Sequence, residues 1–115
     1  NKYYKTSTSP KTFSYIDNGH KNVLVTEGMF DLFSLDSMLQ EKIKEVDLLV
    51  LNSVAFVKKM IPILTDYEKI LLYLDNDLPG DLATNYLLDE CPQSHDCREL
   101  YKGYKDANEK LMSWI

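Results

Sequence analysis

The sequence predicts an α/β domain with a mostly parallel central sheet of about four strands, flanked by helices. Three short runs are rich in Val, Leu and Ile without polar alternation, which is typical of strands buried on both faces. Helical patterns lie between these runs, and such alternation is the mark of a parallel α/β sheet. A chain of 115 residues suffices for one such domain with a real core.

The predicted strands are short segments that end in turn residues or acids. Three are strongly apolar, and a fourth, less hydrophobic strand is predicted near the end of the chain. In order, they are NVLVTE at 22–27, VDLLVLN at 46–52, KILLYLD at 69–75 and DCRELY at 96–101.

Four helices are predicted around these strands, at 31–45, 55–64, 80–90 and 106–115. Asp31 is well placed to cap the first, and Pro62 interrupts the second. Pro92 closes the third. Trp114 is expected to pack the last helix onto the sheet.

Composition excludes several classes of function. The net charge of −5 argues against broad electrostatic binding to nucleic acid. No apolar run approaches the roughly 20 residues of a membrane helix, so we expect no membrane partner. Two cysteines are too few for a disulfide scaffold, which fits a cytoplasmic location, and the spacing of Cys91, His95 and Cys97 is not that of a zinc site.

The chain begins with Asn, so we expect it to be a fragment of a longer protein. Residues 1–20 are predicted to lead into the domain, and residues 21–115 to form it.

Acidic residues follow the predicted strands where they end. Glu27 ends the first strand, and Asp31 lies one helical turn beyond it. Asp75 and Asp77 follow the third strand two residues apart, so in extended chain both side chains point the same way. Asp106 lies where the fourth strand gives way to the last helix. Active sites in such sheets gather at the carboxyl ends of the strands.

Converging carboxylates need a cation or protons. Two like charges about 4 Å apart repel by roughly 4 kcal/mol at an effective dielectric of 20. An all-oxygen site suits Mg²⁺ or Mn²⁺. Gly28 and Gly80 fit a ligand site, because a residue without Cβ lets a ligand approach the backbone closely. Helix capping remains the alternative for each acid taken alone, and Asp81, Asp89 and Glu90 are expected to be solvated surface.

At this point the motifs resemble a known family. VLVTEGMFDLFSL followed by LLYLDNDLPGD is similar to the Toprim domain of topoisomerases, primases and related nucleases, a Rossmann-like fold. The E-G-x-x-D spacing from Glu27 to Asp31 and the segment YKDANEKL resemble the DnaG-type bacterial primases in particular. The N-terminal region and LVLNSVAF are similar to Toprim/primase-like proteins of Bacteroides-type mobile elements, in which a zinc-binding module often precedes the Toprim part.

The resemblance implies roles for individual residues. Glu27 would handle the proton of the attacking 3′-hydroxyl in nucleotidyl transfer. Asp75 and Asp77 would hold Mg²⁺ (or Mn²⁺), with Glu27, Asp31 and Asp106 also binding metal. Lys105 would contact phosphate.

The resemblance also implies partners, and the chain departs from the family in two places. The full-length protein would act on a single-stranded DNA template and nucleoside triphosphates, with a zinc-binding domain in the same chain and a helicase as companions. Primases usually carry a second acid where this chain has Asn108, so a second ion would be held weakly. A basic ridge for the template is also missing, so the isolated fragment is expected to be inactive or weak.

Three alternatives stay open from the sequence. The same carboxylates serve a Toprim nuclease or topoisomerase-type strand cleavage. A haloacid-dehalogenase-type phosphatase also has a D-x-D after a strand, but it would leave Glu27 unexplained. A non-catalytic nucleic-acid-associated module is the third.

Overall fold

The computed structural model describes residues 5–8 and 14–114. The strands are β1 (Lys5–Thr8), β2 (Ser14–Asp17), β3 (Asn22–Thr26), β4 (Asp47–Val50), β5 (Lys69–Tyr73) and β6 (Ser94–Asp96). The α-helices are α1 (Met29–Leu39), α2 (Ile61–Leu64), α3 (Leu78–Glu90) and α4 (Ala107–Met112). Short 3₁₀ helices cover Gln40–Glu45, Val54–Met60 and Arg98–Tyr101.

The described strands form one sheet in the order β1-β2-β4-β3-β5-β6. The four strands from β4 to β6 pair in parallel, whereas β2 pairs antiparallel with β4 and β1 antiparallel with β2. The prediction of an α/β fold with a mostly parallel sheet is confirmed. β1 and β2 precede residue 21, so the sheet extends beyond the predicted start of the domain. Residues 1–4 and 9–13 of the predicted leading segment lie outside the described residues, and the domain boundary stays a prediction.

The sheet separates two hydrophobic layers. Val23 and Val25 of β3 pack on the side of α2 and α3, and Leu24 packs on the side of α1 and α4. All three side chains are buried, as their lack of polar alternation predicts. The central strand β3 therefore carries its carboxyl end to the middle of the sheet edge.

The register aligns the strand ends that lead into the predicted site. Thr26, the last residue of β3, lies opposite Tyr73 of β5 and Val50 of β4. Since parallel strands run in the same direction, the residues that follow β3 and β5 emerge side by side.

A buried carboxylate fastens the opposite edge of the sheet. Asp47 at the start of β4 accepts hydrogen bonds from the main-chain N–H groups of Asn18 (2.9 Å) and His20 (3.2 Å) and from the Tyr67 hydroxyl (2.5 Å). This network holds the turn after β2 against the amino end of the parallel strands.

Several predicted elements differ from the structure. The fourth strand is Ser94–Asp96, and most of the predicted segment 96–101 is a 3₁₀ helix instead. The predicted helix 55–64 is mostly a 3₁₀ helix, with only Ile61–Leu64 in α-helix. Trp114 is 62% exposed, so the prediction that it packs the last helix onto the sheet is wrong. None of the described helices is long and apolar enough to cross a membrane.

Candidate metal centre

Five carboxylates meet at the carboxyl edge of the parallel strands. Glu27 follows β3, Asp75 and Asp77 follow β5, Asp31 lies in the first turn of α1, and Asp106 precedes α4. They form two groups in the described chain, Glu27–Asp75–Asp77 and Asp31–Asp75–Asp106. Within each group the ligand oxygens lie within 4.8 Å of one another. The structure therefore brings together all five acids predicted from the sequence, and Asp75 belongs to both groups.

Asp75 is the central carboxylate and the least compensated. Its Oδ1 atom is buried, and no hydrogen-bond donor among the described residues reaches it. Burial, the largest cause, and the neighbouring charges of Glu27, Asp31, Asp106 and Asp77 together raise the pKa of Asp75 to about 7. A buried carboxylate oxygen that lacks a donor is costly, and a bound cation would remove that cost.

Glu27 connects the ends of β3 and β5. Its Oε2 accepts a hydrogen bond of 2.7 Å from the main-chain N–H of Asp75. Burial raises the pKa of Glu27, the charges of Asp77 and Asp31 add to this, and the hydrogen bond from Asp75 opposes it. The Glu27 side chain thus holds the main chain of Asp75 in place. Like Asp75, it is a buried carboxylate with acidic neighbours.

Asp31 does not cap α1, contrary to the prediction. The N-cap residue is Gly28, and Asp31 is buried within the first turn at 7% exposure. Its Oδ1 accepts a 3.3 Å hydrogen bond from the main-chain N–H of Asn108. Burial and the nearby charge of Asp106 raise the pKa of Asp31, so this side chain faces the cluster and ties α1 to the start of α4.

Asp77 and Asp106 are helix caps as well as members of the cluster. Asp77 Oδ1 accepts from the Gly80 N–H at the start of α3, and Asp106 Oδ1 accepts from the Glu109 N–H at the start of α4, both at 2.8 Å. Such a bond satisfies one of the free N–H groups of a helix N-terminus. Each carboxylate keeps a second oxygen, so capping and metal binding are compatible here.

Gly80 is required by the protein's own backbone. A Cβ atom at this position would lie 2.0 Å from the carbonyl oxygen of Asp75 and 3.0 Å from Asp77 Oδ1. At Gly28, by contrast, a Cβ would meet only Asp31 Oδ2, at 3.4 Å. The first turn of α3 can therefore pack directly on the Asp75 peptide only because residue 80 has no side chain.

The Toprim-like family model matches residues 24–111, which include all five carboxylates. The chain belongs to the Toprim-like family. The predicted resemblance to a primase-like Toprim domain is confirmed. No protein of curated function matches the sequence.

Solved structures with the same fold come from bacteriophage T7. The primase fragment of the T7 primase-helicase protein matches with a TM-score of 0.66 and 18% identity, over 90% of this Toprim-like chain and 53% of the T7 chain. A complex of T7 lagging-strand DNA polymerase with primase domains of two gp4 subunits, an RNA/DNA hybrid and dTTP matches with a TM-score of 0.62 and 22% identity. That match covers 96% of this chain and 59% of the T7 chain. The Toprim-like chain thus spans between half and three-fifths of the length of these relatives.

A polar cleft of about 560 Å³ opens beside the carboxylates of the Toprim-like domain. The exposed Lys105 lies at its border, close enough for its charge to lower the pKa of both Glu27 and Asp31, an effect smaller than that of burial. The lining combines cationic, acidic and neutral polar side chains with one glycine: Asn76, Asp96, Arg98, Glu99, Lys102, Gly103, Tyr104 and Lys105. The predicted phosphate contact, Lys105, therefore lies between this cleft and the acidic cluster.

Two residues that hold the Toprim-like site together were missed from the sequence. Asn76, between the two aspartates, donates from its main-chain N–H to the Lys105 carbonyl at 2.6 Å and from Nδ2 to the Tyr104 carbonyl at 2.9 Å. Arg98 lies against the carbonyl of Asp75. A signal for Arg98 was present, because it is the single arginine in a chain with twelve lysines.

A second prediction at this site, that for Asp81, also needs correction. It was predicted to be solvated, but it pairs with Arg98 at 2.5 Å while its side chain stays 50% exposed.

Cys91 is buried and Cys97 half-buried. Neither belongs to a metal-binding group among the described residues.

Proposed function

We propose that this chain is the metal-dependent catalytic Toprim domain of a DNA primase-like protein, which makes RNA primers on a DNA template. The observation that carries the proposal is the position of Asp75. It belongs to both carboxylate groups and holds a buried oxygen that no described donor reaches. A carboxylate oxygen that lacks a hydrogen-bond donor and lies among other carboxylates supports the binding of a cation.

The donor set suits Mg²⁺ (or Mn²⁺), which prefer carboxylate oxygens together with water and substrate phosphate. Glu27, Asp75 and Asp77 would hold one ion, and Asp31, Asp75 and Asp106 a second. Bound ions at such a site polarise phosphoryl oxygens and stabilise the attacking and leaving oxygens. Position 108, where many primases carry an additional acid, is the neutral Asn108, whose side-chain oxygen accepts a hydrogen bond from the Ser34 hydroxyl.

Glu27 is proposed as the acid–base residue. Its Oε2 is engaged by the Asp75 N–H, which leaves Oε1 to take the proton of a 3′-hydroxyl. The raised pKa of Glu27 brings this carboxyl closer to the working pH, where general bases are most effective. The same hydrogen bond keeps the side chain oriented toward the central aspartate.

Lys105 and the adjacent cleft are proposed to receive substrate phosphates. Lys105 is exposed and is flanked by the carboxylates on one side and the cleft on the other. Gly28 would leave room for nucleotide near the main chain. The same expectation for Gly80 is not kept, because the Asp75 carbonyl already fills the space beside its Cα atom. The T7 primase fragment and the T7 complex with RNA/DNA hybrid and dTTP support this substrate class.

The partners are proposed for the full-length protein. Because the chain covers 53% of the T7 primase fragment, template binding would come from regions outside it. A single-stranded DNA template, nucleoside triphosphates, a zinc-binding domain in the same polypeptide and a helicase are the proposed partners, in a cytoplasmic setting.

Primer synthesis by the full-length protein tests the proposal. Labelled nucleotides, a single-stranded DNA template and Mg²⁺ would be supplied to the wild type, to Glu27→Gln and to Glu90→Gln, an exposed control at the far end of α3. We expect Glu27→Gln to lose on the order of 100-fold or more in rate, as for other acid–base residues, and the control to stay near wild type. An unchanged rate in Glu27→Gln would contradict the assignment. Glu27-dependent cleavage of the DNA would indicate the nuclease alternative.

A further inference from the structure

We propose that Arg98, supported by Tyr101, is a positioning residue of the carboxylate site that fixes the main chain of Asp75. This inference rests on the proposed function, because it concerns how the proposed metal ligand is held. Neither residue contacts the cluster with a group that could bind metal or accept a proton. Both act on the backbone that carries Asp75.

Arg98 joins three elements around the end of β5. Its Nη1 donates to the Asp75 carbonyl oxygen at 3.3 Å and to Asp81 Oδ1 of α3 at 2.5 Å. Its Nε and Nη2 donate to the two carboxylate oxygens of Asp96 at 3.0 and 2.9 Å. The side chain is only 15% exposed, so the guanidinium is held in one orientation by partners on every side.

The charge of Arg98 is balanced by its own partners. Asp81 and Asp96 both pair with the guanidinium. Arg98 therefore contributes little as a counter-ion to the acidic cluster, and the cluster still needs a cation. Its contribution is geometric.

Tyr101 fixes the adjacent peptide from the same 3₁₀ helix. Its hydroxyl donates to the Leu74 carbonyl oxygen at 2.6 Å, and the side chain is 1% exposed. Two consecutive carbonyls, of Leu74 and Asp75, are thus held by Arg98–Tyr101, while the Asp75 N–H is held by Glu27. The Asp75 peptide is clamped at both of its main-chain polar groups.

A lysine at position 98 could not make this set of hydrogen bonds. The guanidinium is planar and presents five N–H donors in a rigid fork, whereas an ammonium is a compact point charge with three. Arg98 uses four N–H groups in a fixed plane. The sequence uses lysine at the twelve other cationic side chains, so the requirement for the fork is specific to position 98.

The test compares Mn²⁺ binding to Arg98→Lys, Tyr101→Phe and Tyr67→Phe in the full-length protein. Tyr67→Phe is the control, because it removes a buried hydroxyl from Asp47 at the opposite edge of the sheet. Loss of a group that orients metal ligands typically costs 10–100-fold in affinity. We expect a fall of about 10-fold or more for Arg98→Lys, a smaller fall for Tyr101→Phe, and a change below about 2-fold for Tyr67→Phe, which also reports on general destabilisation. Should Arg98→Lys fail to fold, Tyr101→Phe still tests the clamp.

A second readout needs no metal. In metal-free protein, Arg98→Lys and Tyr101→Phe should shift the amide NMR signals of residues 74–77 and speed their hydrogen exchange, and Tyr67→Phe should do neither. Mn²⁺ affinity in Arg98→Lys within about 2-fold of wild type, against the 10–100-fold loss expected, would overturn the positioning role, as would unchanged amides at 74–77. If the wild type itself does not bind Mn²⁺, the proposed function fails, and the amide readout still decides whether Arg98 holds this main chain.

Discussion

Asp75 is the side chain that joins the two carboxylate groups of the site. It is shared by both carboxylate groups, and its pKa is raised to about 7 by burial and by four acidic neighbours. A carboxylate in this position is destabilising when charged and unaccompanied. The fold tolerates it because other contacts hold the main chain on either side.

The stability of the metal-free protein should fall as pH rises from about 4 to about 7. The pKa values of Glu27, Asp31 and Asp75 are raised in the folded state, so the folded protein binds more protons than the unfolded chain in this window. By linkage, the free energy of unfolding then decreases with pH. Urea denaturation in EDTA at a series of pH values measures it, and a free energy of unfolding that rises across this window would contradict the assignment.

Asp75→Asn should flatten that pH dependence. Removing the central charge relieves the repulsion on Glu27 and Asp31, so we expect the metal-free variant to be more stable than wild type at pH 8, by about 1 kcal/mol, since a shift of one pKa unit corresponds to about 1.4 kcal/mol. Glu90→Gln, which lies on the exposed end of α3, is the matched control and should follow the wild-type profile.

The individual site residues differed in how well the sequence alone predicted them. Glu27, Asp31, Asp75, Asp77 and Asp106 could be predicted because parallel strands bring their carboxyl ends to one edge. Arg98 could not be placed, because its partners come from three separate elements whose contacts only the tertiary structure defines. Helix capping was the alternative prediction for each acid, and Asp77 and Asp106 combine a capping hydrogen bond with a place in the cluster.

At the scale of elements, the start of α3 packs against the Asp75 carbonyl because Gly80 has no side chain. We expect Gly80→Ala to destabilise the protein by about 2 kcal/mol or more, because its Cβ would clash with the Asp75 carbonyl and overpacking of this kind costs about 1–3 kcal/mol or more. Gly28→Ala is the matched control. Its Cβ meets one side-chain atom at 3.4 Å, so a loss below about 1 kcal/mol is expected. Equal losses in the two variants, measured by urea denaturation, would rule out the backbone clash as the cause.

The segment 96–101 shows why a strand prediction failed. Its composition resembles a weak strand, and the Cys97 N–H still donates to the Leu72 carbonyl of β5 at 2.9 Å. Beyond that point the chain turns into the 3₁₀ helix Arg98–Tyr101, whose side chains bind the end of β5. Tertiary contacts override local propensity here, and the turn serves the site.

For the whole molecule, the three apolar strands of the parallel sheet were predictable, the fourth was predicted at 96–101 instead of Ser94–Asp96, and the first two strands of the chain were not predicted. The sequences KTST of β1 and SYID of β2 lack the continuous apolar runs of β3 to β5, because these strands lie toward the edge of the sheet. Strands at an edge need less apolar surface, so hydrophobic pattern alone does not reveal them.

Divalent metal should stabilise the whole fold. A ligand that binds only the folded state adds RT ln(1 + [L]/Kd), or about 1.4 kcal/mol at ten times Kd, which for a domain of this size raises Tm by roughly 6 °C. We expect Mg²⁺ to raise the Tm of the wild type at pH 8 and to have little effect on Asp75→Asn. Equal shifts in both proteins would mean that Mg²⁺ acts elsewhere.

Primer synthesis should require more than this chain. The net charge of −5 disfavours template binding by this chain alone, and the chain spans 53% of the T7 primase fragment. We expect the isolated chain to make little or no primer under conditions in which the full-length protein is active. Robust synthesis by the isolated chain would contradict this prediction.

The central claim is that the five carboxylates form a divalent-metal site, and Mn²⁺ titration tests it most directly. Paramagnetic broadening of backbone amide signals would be followed in the wild type and in the double variant Asp75→Asn/Asp77→Asn. We predict selective broadening around Glu27, Asp31, Asp106 and residues 75–80 at low Mn²⁺, and its loss in the double variant. Broadening that is spread over the acidic surface, or that persists in the double variant, would contradict the claim.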